Sequence, residues 1–351
     1  MKKLITSILV SVAVILAAQA QMPGKNTPKG ADEVFGVAFY NLENLFDTIN
    51  ANGTYDLEFS PEGARKWNSR KYWSKINRLA TAIAAMTTPD TPEGPAIIGV
   101  AEVENEAVMR DLVNAAPIRS RNYQIIHHDS PDRRGIDVGM LYDPELFHPI
   151  NVSNHTLDVG FPTRDQMCVV GTMGGDTVAV IVNHWPSRLG GQERSSKHRE
   201  AAAALCRQIA DILWNINPNI GVIIMGDLND DPHDKSCAEV LGARRDPGKV
   251  SAHGFYNPWW TTLAEGTGTL TYKGEWNLFD QIIISGNLLG ENVAADGKLS
   301  FRNHRINNFD FLKAYDSHAA SYPLRTYIRG TWIDGYSDHY PTEIFLIRTK
   351  R

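Results

Sequence analysis

The chain has 351 residues, of which 42% are hydrophobic and 21% charged, and 35 Lys and Arg against 40 Asp and Glu give a formal net charge of −5. This composition is ordinary for a folded protein and excludes a disordered or collagen-like chain. The small negative charge also excludes a polycationic protein that binds nucleic acid over its whole surface, although a metal can supply positive charge locally.

The N-terminal residues have the pattern of a secretory signal peptide. A basic start precedes an apolar run over 4–18, which is shorter than the roughly 20 residues of a membrane-spanning helix. An Ala-x-Ala site ends at Ala20. We therefore predict a signal peptide over 1–20, export to the periplasm or beyond, and no transmembrane anchor. Residues 21–32 are polar and rich in Gly and Pro, which predicts a flexible lead-in.

The rest of the chain mixes strand-like and helix-like runs without a regular βαβ repeat. Helical spacing of apolar residues predicts helices over 66–86, 106–114 and 193–215. Short β-rich runs bounded by turn residues predict strands over 34–41, 97–103, 123–127, 137–142, 167–172, 178–184, 221–227, 281–285 and 342–347. Because several strands follow one another directly, the pattern favours a single α/β domain over 33–351.

Three further features of the sequence lead to expectations about packing. The first helix has an apolar stripe that we expect in the core, namely Trp73, Ile76, Leu79, Ala80 and Ile83. The stretch 286–335 is irregular, which is typical of a functional or disordered loop. Cys168, Cys206 and Cys237 are too few for a disulfide framework and leave either one bridge or three buried thiols.

Polar side chains follow several of the predicted strands, where layered α/β proteins build their sites. The apolar run 222–224 leads into Gly-Asp-Leu-Asn at 226–229. Alternation along a strand places Asp227 and Asn229 on one face, where a carboxylate and an amide can hold a water and a phosphoryl oxygen. By itself, the segment is more typical of a turn rich in Asp and Asn.

Two other strand ends carry ionisable residues. Glu102 and Glu104 end a buried strand on the same face, so alternation does not choose between them, and Glu104 or Asn105 can also begin the next helix. His184 ends another apolar strand, and the nearby Arg188 has the planar fork that binds phosphate. A single strand-end histidine is more often structural.

Two segments near the C-terminus complete the set of candidate site segments. Asp280 stands at the entrance of a predicted strand, and Asp338 and His339 precede the last strand. In isolation, each of these segments is typical of a turn.

Taken in order, the segments resemble the endonuclease/exonuclease/phosphatase superfamily, which includes pancreatic-type deoxyribonucleases, abasic-site endonucleases, inositol polyphosphate phosphatases and bacterial sphingomyelinases. The matching segments are Asn-Leu-Glu-Asn at 41–44, the Glu-Val strand end at 102–103, Asn-His at 183–184, Gly-Asp-Leu-Asn at 226–229, Asp280, and Ser-Asp-His at 337–339. The resemblance covers nearly the whole mature chain. It implies a four-layer α/β/β/α sandwich, with two mainly antiparallel sheets flanked by helices.

The resemblance implies a divalent-metal site. Asn41 and Glu102 would bind the metal, and Asp338 would complete or support the site. Oxygen ligands of this kind suit Mg²⁺, with Mn²⁺ or Ca²⁺ as alternatives. One departure is Ala101, where the family usually has Gln. Glu43 lies within the first motif, and we interpret it as a surface residue outside the site.

The resemblance also implies the catalytic roles. Asp227 and Asn229 would position the attacking water and the scissile phosphate. His339 would contact the phosphate and transfer protons, oriented by Asp280. His184 matches the second histidine of the deoxyribonuclease branch.

Three assignments around these residues are weaker. Asp137 is our candidate for the acidic partner of His184, against a plain aspartate at a strand start. Asn183 and Arg188 are candidates for binding the substrate phosphate.

Together these inferences predict a secreted, Mg²⁺-dependent phosphodiesterase that uses in-line attack by water, with DNA or RNA as the expected substrate. The alternatives are a sphingomyelinase-like enzyme, for which the Trp259-Trp260 pair and the 286–335 segment would supply a membrane contact, and a small-molecule phosphodiesterase or phosphatase. A non-catalytic binding protein with the same fold is the remaining alternative. The sequence indicates no protein partner and no oligomeric state.

Overall fold

The computed structural model describes residues 32–49, 56–290, 297–315 and 321–349. The helices are α1 (Ser69–Ala84), α2 (Glu106–Val113), α3 (Gln192–Ile216) and α4 (Trp259–Ala264). The strands are β1 (Glu33–Leu45), β2 (Ile97–Val103), β3 (Gln124–His127), β4 (Asp137–Tyr142), β5 (Phe147–His155), β6 (Gln166–Met173), β7 (Asp176–His184), β8 (Gly221–Asp227), β9 (Ala243–Arg244), β10 (Phe255–Tyr256), β11 (Leu270–Tyr272), β12 (Glu275–Asn277), β13 (Asp280–Ser285), β14 (Leu299–Ile306), β15 (Lys313–Tyr315), β16 (Ser321–Pro323), β17 (Tyr327–Ile328), β18 (Thr331–Trp332) and β19 (Thr342–Arg348).

Most strands belong to two large sheets. The six-stranded sheet has the order β14-β19-β1-β2-β4-β3, and the seven-stranded sheet has the order β5-β6-β7-β8-β13-β10-β9. The pairs β1–β2, β7–β8 and β9–β10 are parallel, and the other pairs in these sheets are antiparallel. The remaining strands form two-stranded hairpins.

Three apolar clusters define the layers of the fold. One lies between the sheets, where Phe39 and Ile97 of the first sheet meet Val182 and Ile223 of the second. A second packs the other face of the six-stranded sheet against α1 and α2, and a third packs the outer face of the seven-stranded sheet against α3. The expected α/β/β/α sandwich is therefore confirmed.

The helices begin where polar caps allow. The Asn68 side chain accepts a hydrogen bond from Lys71 N at 3.2 Å, and the Asn105 side chain accepts one from Val108 N at 3.0 Å. Such caps satisfy backbone donors that the first helical turn leaves open. Asn105 thus begins α2, as its position in the sequence allowed.

One predicted core position is wrong. The Ile and Leu positions of the α1 stripe are buried, but Trp73 is 46% exposed. In the first turn of α1, Tyr72 and not Trp73 continues the helical spacing of the buried positions Ile76, Leu79 and Ile83.

The prediction that 286–335 is irregular is also wrong for part of that stretch. β14 pairs with β19 and forms one edge of the six-stranded sheet. Its exposed positions carry Arg302 and Asn303, so the alternation of apolar residues is weak. Edge strands tolerate such polar positions, which also discourage pairing with other chains. Strand β5, which contains Pro149, was missed for a similar reason.

The predicted signal peptide and all but Asp32 of the predicted lead-in lie outside the described residues. Among the described helices, none combines the length and apolar character that crossing a membrane requires. Cys168, Cys206 and Cys237 are all buried and free, which matches the three-thiol alternative.

Candidate active site

The candidate residues meet where strand ends from both sheets converge. β1 and β2 run parallel in one sheet, and β7 and β8 run parallel in the other. The carboxyl ends of these strands carry Asn41, Glu102, His184 and Asp227. β13 and β19 are antiparallel to their neighbours β8 and β1. Asp280 at the start of β13 and the 337–339 turn before β19 therefore reach the same edge.

Asp227 lies at the centre of this cluster. It is 3% exposed and stands opposite Asp280 in the β8–β13 pair. Its Oδ2 accepts a hydrogen bond from Asn41 Nδ2 at 3.0 Å and lies 3.6 Å from His184 Nε2 and 3.9 Å from His339 Nε2. Burial raises the pKa of Asp227 to about 7, against the attraction of His339.

A buried carboxylate orients His339. Its Nδ1 lies 2.7 Å from Asp280 Oδ2, and Asp280 is fully buried. Although burial opposes a charged imidazole, the carboxylates of Asp280, Asp338 and Asp227 hold the pKa of His339 well above its usual range. Because Nδ1 is bound to Asp280, Nε2 faces the side of Asp227 and Asp338.

His184 has the opposite electrostatic environment. Burial, with the Arg164 and Arg134 charges, holds the pKa of His184 well below its usual range. Its Nε2 lies near the carboxylates of Asp227 and Glu102. The site thus combines one imidazole that favours the charged form with one that favours the neutral form.

The structure distinguishes Glu102 from Glu104. The β2–β4 register shifts at Glu102, whose φ is 62°. Left-handed backbone is uncommon for Glu, and here it breaks the alternation that would place both carboxylates on one face. Glu102 Oε1 lies 3.9 Å from His184 Nε2, whereas Glu104 turns to accept a hydrogen bond from Asp47 N at 2.7 Å.

The turn at 226–229 depends on special backbone conformations. Gly226 has a φ of 156°, and a Cβ there would overlap the Asn183 carbonyl oxygen. Asn229 has a φ of 52°, and its N–H donates to Asp227 Oδ1 at 3.0 Å. Its side-chain amide donates to the Trp185 carbonyl at 3.0 Å. These contacts fix the Asp227 carboxylate relative to the end of β7.

Three candidates lie outside the cluster, and Asp137 is the first. Its Oδ1 accepts a hydrogen bond from Ser130 N at 2.8 Å, and its Oδ2 lies 3.2 Å from His127 Nε2. The geometry pairs Asp137 with His127 and not with His184. The strand start had indicated a carboxylate but not the histidine beside it.

Asn183 is the second. It is fully buried, and its Nδ2 donates to the carbonyls of Ile181 and Met225 at 2.9 and 3.1 Å. Its Oδ1 accepts from Trp185 Nε1 at 3.1 Å. Since neighbouring residues of a strand point to opposite faces, Asn183 faces away from the site that His184 faces.

Arg188 is the third. Its Nε donates to the Asn229 carbonyl at 2.8 Å. Its Nη2 lies within salt-bridge distance of the carboxylates of Asp230, Asp231 and Asp234. The guanidinium is therefore already paired with the carboxylates of the turn after Asn229, and it stabilises that turn.

The interpretation of Glu43 as a surface residue is wrong, because its side chain is buried, and the sequence analysis also missed its pairing with Lys75. Glu43 Oε2 accepts hydrogen bonds from Thr326 N and Oγ1 at 2.7 and 2.8 Å and lies 3.5 Å from Lys75 Nζ. Lys75 is 1% exposed and also donates to the Tyr336 carbonyl at 2.6 Å. A lysine on the buried stripe of α1 is the signal that could have revealed this pair, since buried lysines are almost always paired.

Arg134 and Arg325 were missed as well. Arg134 Nη2 donates to Asn44 Oδ1 at 2.7 Å and lies 3.7 Å from Glu102 Oε2. Arg325 contacts Asp338 directly, and its Nε lies 3.7 Å from Glu43 Oε1. Nothing in the local sequence pattern singles out these arginines, because long-range packing brings them to the carboxylates.

A cavity of about 290 Å³ opens beside the cluster. Its lining includes Glu43, Asn44 and Asp338, together with Phe59, Arg65, Trp67, Arg325, Tyr327 and Arg329. We call it the flank cavity. It is bordered by Asp338 of the catalytic edge and by the β17–β18 hairpin.

The residues present fit a divalent metal of the hard-oxygen type. Asn41, Glu102 and Asp338 offer amide and carboxylate oxygens, which Mg²⁺, Mn²⁺ and Ca²⁺ prefer. Glu102 Oε2 accepts only a backbone N–H, that of Asn44 at 2.9 Å, besides its contact with Arg134. A separate group of Asp227, Asp280 and His339 also brings potential ligand atoms within 4.8 Å of one another.

Solved structures with the same fold include two of TDP2 and one of a sugar phosphatase. TDP2 from D. rerio, humanized by 14 mutations, is 13% identical with a TM-score of 0.55, over 89% of this chain and 98% of that one. TDP2 from D. rerio in complex with a single-strand DNA product is 14% identical with a TM-score of 0.53, over 89% and 98%. The mannosyl-6-phosphatase of Bacteroides thetaiotaomicron is 15% identical with a TM-score of 0.53, over 89% and 99%.

No curated protein matches the sequence. A family model does, and it spans residues 36–348, from the start of the first strand to the end of the last. Its members are metal-dependent phosphoesterases. The chain belongs to the endonuclease/exonuclease/phosphatase family.

Proposed function

We propose that this protein is an exported, divalent-metal-dependent phosphodiesterase that hydrolyses nucleic acid by in-line attack of water. The observation that carries the proposal is the pair of imidazoles around Asp227. His339 and His184 approach the same carboxylate oxygen at 3.9 and 3.6 Å, and Asp280 holds the first of them. Two imidazoles beside one buried carboxylate suit a reaction in which the nucleophilic water loses a proton and the leaving oxygen gains one.

In this mechanism Asp227 and Asn229 hold the attacking water. Asp227 is buried next to the charged His339. The Asn229 backbone N–H holds the Asp227 carboxylate in place by its hydrogen bond to Oδ1. Asp280 keeps the Nδ1 proton of His339 in place, so Nε2 is the atom that contacts the phosphate and carries a proton to or from it. General acid–base catalysis of this kind contributes ~10²–10⁴-fold.

Asn41, Glu102 and Asp338 are the residues that would hold the metal. When bound, the ion supplies Lewis-acid charge at a phosphoryl oxygen. We propose Mg²⁺ as the working ion because the donor set is all oxygen, with Mn²⁺ or Ca²⁺ as alternatives.

Nucleic acid is the substrate we favour among phosphodiesters. The fold is shared with a TDP2 that was crystallised with a single-strand DNA product. A sphingomyelinase-like activity has less support, since Trp259 is fully buried and donates to the Ile282 carbonyl at 3.0 Å, leaving that part of the pair unable to contact a membrane.

A second candidate function is hydrolysis of a small phosphorylated molecule. The observation that favours it is the flank cavity, whose volume of about 290 Å³ suits a ligand of sugar size. The similarity in fold to a mannosyl-6-phosphatase is compatible with it.

The decisive experiment compares substrates with the mature protein in Mg²⁺ and then in excess EDTA. The substrates are supercoiled plasmid, bis(4-nitrophenyl) phosphate, sphingomyelin and mannose 6-phosphate. We expect plasmid nicking and nitrophenolate release that EDTA abolishes and Mg²⁺ restores. Absence of nicking at micromolar enzyme, together with release of phosphate from mannose 6-phosphate, would replace the nuclease by the phosphatase.

A matched pair of histidine variants tests whether the nicking belongs to this site. His339→Gln should abolish nicking. His253→Gln should not, because that ring stacks on Trp214 of α3 at 4.8 Å and belongs to none of the strand ends that form the site. Equal loss in both variants would refute the assignment of the site.

Export is tested separately by the mature N-terminus. Expression of the full chain in a bacterial host should yield a periplasmic or secreted product beginning at Gln21. A cytoplasmic product that retains Met1 would refute the predicted signal peptide.

A further inference from the structure

Positive charge is concentrated beside the site of a chain whose net charge is −5. The segment 65–78 contains Arg and Lys residues without any Asp or Glu, namely Arg65, Lys66, Arg70, Lys71, Lys75 and Arg78. It includes the first half of α1. Lys75 is buried beside Glu43 and Arg78 pairs with Asp334. The surface cations of the segment are therefore Arg65, Lys66, Arg70 and Lys71, which favour an anionic ligand.

The fold brings two more arginines to this face. Arg325 and Arg329 line the flank cavity together with Arg65. The same cavity is also lined by Asp338 of the candidate active site and by Asn44, whose N–H donates to Glu102 Oε2 at 2.9 Å. The three guanidinium groups therefore line a cavity that borders the catalytic edge.

The three arginines differ in how far carboxylates already neutralise them. Arg325 is bound to Asp338, and Arg65 Nε lies 2.7 Å from Glu58 Oε1. Arg329 has no carboxylate contact within the described part of the chain. Its positive charge is thus the one most available to a ligand in the cavity.

The backbone holds Arg329 in a defined place. It has a φ of 49° and is followed by Gly330 at 81°, the left-handed pair typical of the two-residue turn of a hairpin. The segment before this hairpin is anchored, since Lys75 donates to Thr326 Oγ1 at 2.6 Å. At Gly335 a Cβ would overlap the Arg325 carbonyl oxygen, so the segment after the hairpin packs directly on the anchored one.

We propose that the flank cavity binds a second phosphate of the substrate, the one next to the scissile phosphate along a sugar–phosphate chain, and that Arg329 is its main ligand. The inference rests on the proposed function and names the substrate class more narrowly. A cavity of about 290 Å³ holds one sugar–phosphate unit and not a duplex. The preferred substrate is therefore an unpaired strand or a short oligonucleotide.

Binding experiments test the cavity independently of turnover. The ligands are thymidine 3′,5′-bisphosphate and thymidine 5′-monophosphate, titrated by calorimetry into the mature protein with Ca²⁺ present. We expect the wild-type protein to bind the bisphosphate about tenfold more tightly, which corresponds to about 1.4 kcal/mol. In Arg329→Ala the ratio should fall to about one, and Arg329→Lys should keep part of it.

Arg245→Ala is the matched control. Arg245 is exposed like Arg329 but does not line the cavity. It should keep the tenfold ratio. An equal affinity of the wild type for the two ligands, or the same loss in both alanine variants, overturns the proposal.

A kinetic experiment separates this inference from the proposed function. The substrates are thymidine dinucleotides with and without terminal phosphates, and the readout is cleavage of the internal bond, followed by chromatography at several salt concentrations. The slope of log kcat/KM against log salt for the phosphorylated dinucleotide should be smaller by about one in Arg329→Ala than in the wild type. If neither dinucleotide is cleaved, the nuclease proposal fails, while the bisphosphate ratio still decides the role of the cavity. An unchanged slope in a cleaving enzyme overturns the role of Arg329 alone.

Discussion

The bond between Asp280 and His339 gives the sharpest prediction about the reaction. Asp280→Asn keeps the shape of the side chain but removes its charge. The carboxylate is fully buried and lies 2.7 Å from Nδ1 of His339. The substitution therefore removes the negative charge that stabilises an imidazolium, and it lets the amide donate to Nδ1 and reverse the tautomer.

The size of the effect follows from the separation of the charges. Unit charges roughly 4 Å apart interact by about 4 kcal/mol at an effective dielectric constant of about 20. At about 1.4 kcal/mol per factor of ten, turnover should fall ~10³-fold. The free energy of unfolding should change by less than about 2 kcal/mol, because the variant also no longer buries a charge.

The assay is hydrolysis of bis(4-nitrophenyl) phosphate in saturating Mg²⁺, with urea unfolding measured on the same preparation. Glu343→Gln is the control, since Glu343 is an equally buried carboxylate that contacts Arg305 and Asn307 at 2.8 and 3.1 Å and none of the described histidines. The control should lose stability and keep kcat. Wild-type turnover in Asp280→Asn, or an equal fall of kcat in Glu343→Gln, would refute the reasoning.

Three further predictions concern the metal, the buried ion pair and the glycine turn. Glu102→Gln should raise the Kd for Mn²⁺ at least tenfold by calorimetry, whereas Glu104→Gln should leave it unchanged, because only the first carboxylate faces the site; equal effects would contradict the assignment. Lys75→Met should lower the free energy of unfolding in urea by about 3 kcal/mol, because it removes the ammonium group from beside the buried Glu43 carboxylate. Adding Glu43→Gln should restore part of that loss, and strictly additive losses would exclude the pairing. Gly226→Ala should lower the free energy of unfolding in urea by about 1–3 kcal/mol, since its Cβ meets a carbonyl of the neighbouring strand. An unchanged urea midpoint would contradict this prediction.

The sequence predicted those parts of the fold in which each strand has its own apolar pattern. β2, β7 and β8 are buried strands with polar residues at their ends, so both the strands and the residues that follow them could be read from the chain. The edge strands β5 and β14 could not, because their outward positions are polar and their partners lie elsewhere in the sequence.

The same division holds within the site. Asp227, Asp280 and His339 were predicted because each belongs to a local motif. The partner of Asp137 was not, because His127 reaches it through the pairing of β3 with β4. The alternating pattern could not distinguish Glu102 from Glu104. The difference arises from the left-handed φ of Glu102, and a change of φ at one position leaves no trace in such a pattern.

The pairing of the first and last strands has a consequence for synthesis of the protein. Glu33 stands opposite Arg348, and β1 lies between β2 and β19 in the sheet. His339 precedes β19, so a growing polypeptide on the ribosome has no complete catalytic edge until that last strand has emerged and docked beside the first. Contacts between such distant positions also form slowly. The catalytic edge of this phosphoesterase fold is thus complete only once β19 has docked beside β1.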